Sequence, residues 1–367
     1  MILTTRDMSD FYKKFLRDEM RRARSDAARP AYLGAFGKHP GWDDHVEDLG
    51  LETESLIFAK TLLYVQGIGG QIDSGAWEKL DPVQQLPAFK HVFLWLRGSQ
   101  YLVGRLWSSS DGKGRTRYPM VGCAHILGSS LLSALNLALP QLERVEQACL
   151  LTDSATEVRS ILGRARAELQ NTGTTLVESV LRPVTPQQWA EFIASPLFGP
   201  NHEGWSRILY QLENQCAAFA PGRFSTKGDP GAVHPQPFRL PSNQGAARGL
   251  LLWARFFLSQ LDPMVPLLLI APLEEPWVDA TLGEPTPHEF FCLRAGPKAL
   301  PLVTEVPYSL DDAFRARARG VLDTFQANEN SPHPAGPEQT TIFPSSTLSS
   351  TKRRVLKWFG GGGNYAP

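Results

Sequence analysis

The chain has no apolar run long enough to cross a membrane. Its most hydrophobic stretches, "GLLLWARFFL" (249–258) and "PLLLIAPL" (266–273), are short and interrupted, whereas a bilayer core of about 30 Å takes about 20 apolar residues as helix. The segment 1–30 mixes eight Lys and Arg with five acids and holds no continuous apolar stretch, so it does not read as a signal peptide. A cytoplasmic location is expected. Net charge is absent too. Thirty-seven basic residues balance 37 acidic ones, which leaves no global field to gather nucleic acid or an anionic membrane, and no nucleic-acid partner is expected. Cysteine is scarce: Cys123, Cys149, Cys216 and Cys292 lie far apart with no CxxC pair. Zinc ribbons and thiol-exchange motifs are thereby excluded, and buried free thiols in a reducing compartment are expected.

The usual catalytic signatures are missing as well. There is no GxxxxGK[ST], no GxGxxG between a strand and a helix, no HExxH, no calcium loop and no GxSxG elbow. The nearest approach of a thiol to an imidazole is Cys123 with His125, two residues apart on one predicted strand face, which reads as a core thiol beside a satisfied histidine. No cofactor is expected.

What is present is an ordinary globular composition over 367 residues, 42% hydrophobic and 20% charged. The pattern predicts an α/β (α+β) fold: a largely antiparallel central sheet flanked by helices, with a flexible C-terminal tail. Residues 1–29 read as a basic amphipathic helical segment, with Met8, Phe11, Phe15 and Met20 on one side and Pro30 as the break. A domain then runs over 30–326, with a helical insertion at about 150–250.

Within it, Tyr32–Gly37 predicts a strand and "ETESLIFAKTLLYVQG" a helix, followed by a shorter helix over Ser74–Leu80. "KHVFLWLRG" and "QYLVGRLWSS" predict a hairpin across Gly98-Ser99, and "YPMVGCAHIL" predicts a third strand that completes a meander. Helices are predicted at about 129–149, 154–171, 185–195, 202–218 and over "NQGAARGLLLWARFFLSQ". "VPLLLIAP", "PWVDATLG" and "HEFFCLRA" predict strands. "SLDDAFRARARGVLDTF" predicts a closing helix with Ser309 as N-cap and Asp311 and Asp312 in its first turn. The stretch 327–351, rich in Pro, Ser and Thr, reads as a linker. It leads to 352–367, where Arg353, Arg354, Trp358 and Phe359 form a basic and aromatic docking segment for a protein groove or an anionic membrane surface.

Two polar knots carry the candidate chemistry. In "GKHPGWDDHVED" (37–48), His39, Asp43, Asp44 and His45 are legitimate metal-ligand types. One reading is therefore a metal-dependent hydrolase. The other is a structured polar loop, since "HPGW" reads as a turn and the acids can hydrogen-bond loop amides. In "SSSDGKGRTRYP" (108–119), the amides of Gly112 and Gly114 with Arg115 and Arg117 could face an anion. Alternatively, Asp111 pairs with Arg115 and reaches Asp43 or Asp44 of the first knot.

Together the knots resemble the TagF (ImpM) family, associated with bacterial type VI secretion. "GKHPGWDDHV" is similar to that family's GK-x-P-x-x-x-DF-type opening motif at Gly37, Lys38, Pro40 and Asp43 or Asp44. "SSDGKGRTRYPM" is similar to its second signature, S-x-D-x-x-GR followed by an aromatic residue and Pro, at Ser109, Asp111, Gly114, Arg115, Tyr118 and Pro119. The likeness covers roughly 30–150, with a weaker echo at 264–294. His45 stands where the family has an aromatic, and one extra residue separates Arg115 from Tyr118. The resemblance implies a non-enzymatic accessory or regulator of a type VI or related contractile injection system. It would bind another component, such as a forkhead-associated scaffold or a baseplate protein. On this reading the two loops stiffen each other and present Lys38, Trp42 and Arg117 outward, residue types among which Trp and Arg often dominate binding energy.

Overall fold

In the computed structural model, residues 31–171, 181–221, 223–224 and 234–330 are described; the expected N-terminal helix, most of the linker and the basic tail lie outside them. One eight-stranded antiparallel sheet organises the molecule. Its strands are β1 (Ala31–Lys38), β2 (His45–Leu49), β3 (Lys90–Arg97), β4 (Gln100–Ser108), β5 (Pro119–Leu127), β6 (Gln236–Pro241), β7 (Leu267–Pro272) and β8 (Trp277–Leu282), in the order β2-β1-β5-β4-β3-β7-β8-β6. The hairpin and meander predicted from alternation are present: Arg97 pairs with Gln100 across the turn, and β4 pairs with β5 over its full length. Gly98 takes φ +61°, the left-handed conformation this tight turn needs and which costs a side chain-bearing residue about 1–2 kcal/mol.

The central strands are apolar on both faces because both are covered. Val92, Leu94, Leu96, Val103 and Ala124 point to one face, and Phe93, Trp95, Leu102, Val121 and Cys123 to the other. The second face is covered by α1, which starts as α-helix over Glu54–Ala59, widens to a π-helix over Lys60–Ile68 and closes as α-helix over Gly69–Asp73. Thr53 caps it by accepting from the Leu56 amide. The first face carries α2 (Leu131–Cys149), α3 (Ala155–Asn171) and α6 (Ala246–Gln260), to which α4 (Pro186–Ile193), α5 (Glu203–Gln215) and α7 (Asp312–Asn330) add further layers. Its core runs without a break from Ala31 to Phe325. The helical stretch after residue 150 is thus part of the main core.

Four expectations change. The short helix over Ser74–Leu80 is a run of turns, because α1 ends at Asp73 and Gln85 binds the Trp77 and Leu80 carbonyls (2.8 Å each). "HEFFCLRA" is a 3₁₀ helix over Pro287–Leu293. Pro287 at its first position and reciprocal bonds between Thr286 and Glu289 start a helical turn there. The cap of α7 is Asp311, whose carboxylate accepts from the Phe314 amide (2.6 Å). Finally, β2 and β6, the two sheet edges, were not expected; both are short and polar or proline-bearing, as edge strands tend to be. Among the described residues no helix is long and apolar enough to cross a membrane, and all four cysteines are buried free thiols.

Candidate functional site

The end of β1 and the start of β5 are neighbours, Gly37 pairing with Met120, so the loops that carry the two knots leave the sheet side by side. Gly37 sits at φ +118°, and a Cβ there would lie 2.3 Å from the Pro119 carbonyl oxygen. No other residue fits this close approach. Lys38 follows it with its side chain turned inward, 3% exposed. Its ammonium donates to Asp111 Oδ2 (2.8 Å) and Asp44 Oδ1 (2.5 Å).

Asp111 is the hub. Its carboxylate is buried and accepts from the Lys113 and Arg115 amides at Oδ1 (3.0 Å each) and from Lys38 and Arg115 Nε at Oδ2 (2.8 and 2.7 Å). Burial would raise its pKa, but the hydrogen bonds from Lys38, Arg115 and the amides outweigh it and hold the carboxyl well below the usual range. Arg115 reaches on from Asp111 to the Asp43 carbonyl (2.9 Å) and to Asp44 Oδ1 (3.1 Å). The Gly112 amide donates to the Trp42 carbonyl (2.7 Å). Two segments more than sixty positions apart are therefore joined by two cations, two carboxylates and a backbone bond, with the charges balanced inside the cluster.

The rest of the first loop is anchored sideways. Burial lowers the pKa of His39, which makes its neutral form the stable one. Its Nε2–H donates to the Cys149 carbonyl at the end of α2 (3.0 Å), and its Nδ1 accepts from the Gly41 amide (3.0 Å). The Trp42 ring lies edge-on to His39 at 5.7 Å, with the Arg159 guanidinium over it at 5.4 Å. His45 packs against Tyr118 (5.3 Å) and Tyr64 (5.7 Å), and those two rings meet at 5.6 Å. Burial, then the Lys38 charge, lower the His45 pKa. Arg117 is exposed and bonds Glu78 Oε1 (2.5 Å).

Of the motif residues, Gly37, Lys38, Asp44, Asp111 and Arg115 converge in one network, and Gly114 makes its turn at φ +76° with its amide on the Asp111 carbonyl. Pro119 opens β5, and Tyr118 joins the aromatic group. Pro40 is exposed, Asp43 contributes its carbonyl, and Ser109 reaches only its neighbour's carbonyl. One expectation is corrected, and two alternative readings of the loops find no support. Lys38 is buried in the network and is not presented outward, because a partner-facing position on that strand end is taken up by the bond to Asp111. The Gly112 and Gly114 amides are spent on Trp42 and Asp111, so they do not cradle an anion. His39 and His45 are held apart on different partners, and among the described residues no three His, Cys, Asp or Glu side chains group as a metal ion requires. Cys123 and His125 are, as expected, a core thiol beside a satisfied histidine: His125 bonds Thr53 and Gln100, and burial pushes the Cys123 thiol up. Tyr64, Glu78 and Arg159 were not foreseen; they come from α1, the turns after it and α3, whose approach to the loops no local pattern announces.

No family model matches the chain, and neither does any curated protein. Its reading therefore rests on its own geometry and motifs. That geometry describes a charge-neutral clamp beside which His45 and Arg117 are exposed and Trp42 and Tyr118 half-buried.

Proposed function

We propose that this protein is a non-enzymatic accessory factor or regulator of a type VI secretion or related contractile injection system, working in the cytoplasm through protein–protein binding. The observation that carries this reading is the Lys38–Asp111–Arg115–Asp44 cluster. Five of the residues that align with the two TagF-like motifs, Gly37, Lys38, Asp44, Asp111 and Arg115, lock the two loops together, so the motifs make sense as a device for shaping a surface. The side chains left outside the lock, Trp42, Arg117 and Tyr118, are of types that anchor interfaces. A forkhead-associated scaffold or a baseplate component is the partner class that the resemblance suggests, and the segment 352–367 would add a second attachment.

Arg115→Ala is the direct test. The cluster would lose its bond to the Asp43 carbonyl and one of its two bonds to Asp44, leaving Lys38 alone to hold that carboxylate, and co-purification of a tagged protein with its apparatus partner should fall at least ~10-fold, a loss of about 1.4 kcal/mol or more. Asp111→Ala should behave the same way, with circular dichroism confirming the fold. Unchanged capture with both variants would remove the motif surface from the interaction.

A further inference from the structure

The turn between α2 and α3, residues 150–154, carries a feature that the clamp does not use. Of the six large apolar side chains that stand exposed among the described residues, two are consecutive here, Leu150 at 59% and Leu151 at 88%. Leu150 caps the C-terminus of α2. An apolar residue just past a helix end often folds back onto the last turn; Leu151, with so much of its surface in solvent, does not. Adjacent exposed leucines in a turn are the mark of a surface that meets another molecule.

The turn is fastened to the first motif loop. The Cys149 carbonyl at the end of α2 accepts from His39 Nε2–H (3.0 Å), and a Cβ on Gly41 would fall 2.5 Å from the Ala155 nitrogen and 3.0 Å from the Asp153 carbonyl oxygen. Exposed Pro40 and half-buried Trp42 flank that contact, and Arg159 of α3 lies over the Trp42 ring at 5.4 Å. The charges around it are acidic in balance. Asp43, Asp153 and Glu157 are exposed, and among the described residues none of them forms an ion pair; Glu157 accepts only from the Thr152 hydroxyl. Arg159 is committed to Glu47 (2.5 Å). Outside the clamp, Lys113 is the cation next to Gly112, whose amide binds the Trp42 carbonyl.

We propose that Leu150, Leu151 and Trp42 form the docking surface for a segment of a protein partner that presents apolar side chains flanked by Lys or Arg. This rests on the motif loops being a partner-binding device and names the chemistry of what binds them. The acidic rim decides between occupants. An anionic membrane or a nucleic acid would meet the carboxylates with like charge, and so would a second copy placed patch to patch across a two-fold axis. A basic, apolar segment gains on both counts, by burying the leucines and by pairing the carboxylates.

The experiment uses the full chain. Leu150→Ser with Leu151→Ser should leave the melting temperature unchanged, since both side chains are exposed, while capture of the apparatus partner by the tagged protein falls at least ~10-fold. The segment that touches the surface is read by placing the photo-cross-linker benzoyl-phenylalanine at position 151, in the cells that make the protein, and sequencing the attached peptide. Met264, exposed beside the β3–β4 turn at the other end of the strands, is the control position. Cross-linking at 151 should exceed that at 264 by at least ~10-fold, and the peptide should hold more Lys and Arg than Asp and Glu. Equal yields, or a peptide of acidic balance, overturn the proposal. So does a cross-link to a second copy or within the same chain, which assigns the leucines to self-association or to an internal contact. Capture lost in Arg115→Ala but retained in the double serine variant overturns this surface and leaves the motif reading in place. A cross-link from 151 to a basic segment of a protein outside any injection apparatus supports the surface and overturns the function proposed for the chain.

Discussion

At the scale of single residues, buried ionisable groups set the acid limb of stability. His91 on β3 is 1% exposed and accepts from the Lys90 amide at Nδ1. Burial, reinforced by Arg239 and Arg294, lowers its pKa from 6.5 to about 3. Between those values the unfolded chain takes up a proton that the folded chain refuses, so the stability due to neutral His91 is complete above pH 6.5 and is lost as pH falls toward 3. The slope is up to about 1.4 kcal/mol per pH unit. Asp111 acts in a lower window. Its folded pKa is depressed below 3.8, so its contribution is complete above that value and is lost as pH falls through the folded one. Urea unfolding of His91→Gln at a series of pH values should show a flatter profile from pH 4 to 6 with the limb below pH 4 retained; Asp111→Asn should do the reverse. Parallel profiles for all three proteins would mean that neither group governs the limb. Parts of this residue scale are legible in sequence. The pairing of Asp111 with Arg115 and its reach to the first loop follow from four-residue spacing in a glycine turn. The inward turn of Lys38 does not, because a lysine at the end of a strand reads as solvated until the partner loop supplies a buried carboxylate.

At the scale of elements, the sequence is most informative where one period dominates. The β3–β4 hairpin, β5, α2 and α3 are long, strongly patterned and bounded by Gly or by capping residues. The edge strands were invisible for the opposite reason: "HVEDL" and "QPFRLP" have little apolar alternation and owe their extension to a neighbour's ladder. "HEFFCLRA" misled because a short apolar run does not distinguish a strand from a helical turn, although Thr286-Pro287 followed by Glu289 is a helix-start signal. The edge strand β6 also shows how an element is pinned. Arg239, 2% exposed, binds both oxygens of Asp279 on β8 (2.7 and 2.8 Å), donates to the Leu300 carbonyl (3.0 Å) and stacks on Trp277 at 4.6 Å. Arg239→Ala strands a buried carboxylate and should cost about 3–5 kcal/mol, whereas Arg239→Met combined with Asp279→Leu should recover most of that loss. Chemical denaturation measures both. A double replacement no better than the single one would show that the ion pair is worth more than its desolvation.

At the scale of the whole molecule, one apolar layer ties the sheet to every helix on its first face. Trp253 of α6 touches Phe192, Phe198, Trp205, Phe256 and Phe257, and the group continues through Phe256 to Phe325 of α7. The same core cluster includes Leu94 and Leu269 of the central strands. Such continuity argues against a separable helical insertion, for the helices at 186–215 have no core that excludes α6, and α6 has none that excludes the sheet. Melting should therefore be a single calorimetric transition whose van 't Hoff and calorimetric enthalpies agree. Trp253→Ala, which empties the centre of the aromatic group, should cost about 3–5 kcal/mol and shift that transition down as one peak. Two peaks in the variant, one at the original temperature, would instead divide the molecule into a sheet with α1–α3 and a helical body that folds on its own. Retention of a single shifted peak has a consequence for the clamp at the far end of β1. The charge cluster would then be held by a core about 27 Å long in the strand direction, the length of an eight-residue strand at about 3.4 Å per residue, and a lesion beside α6 should weaken the proposed partner capture only in proportion to the fraction unfolded.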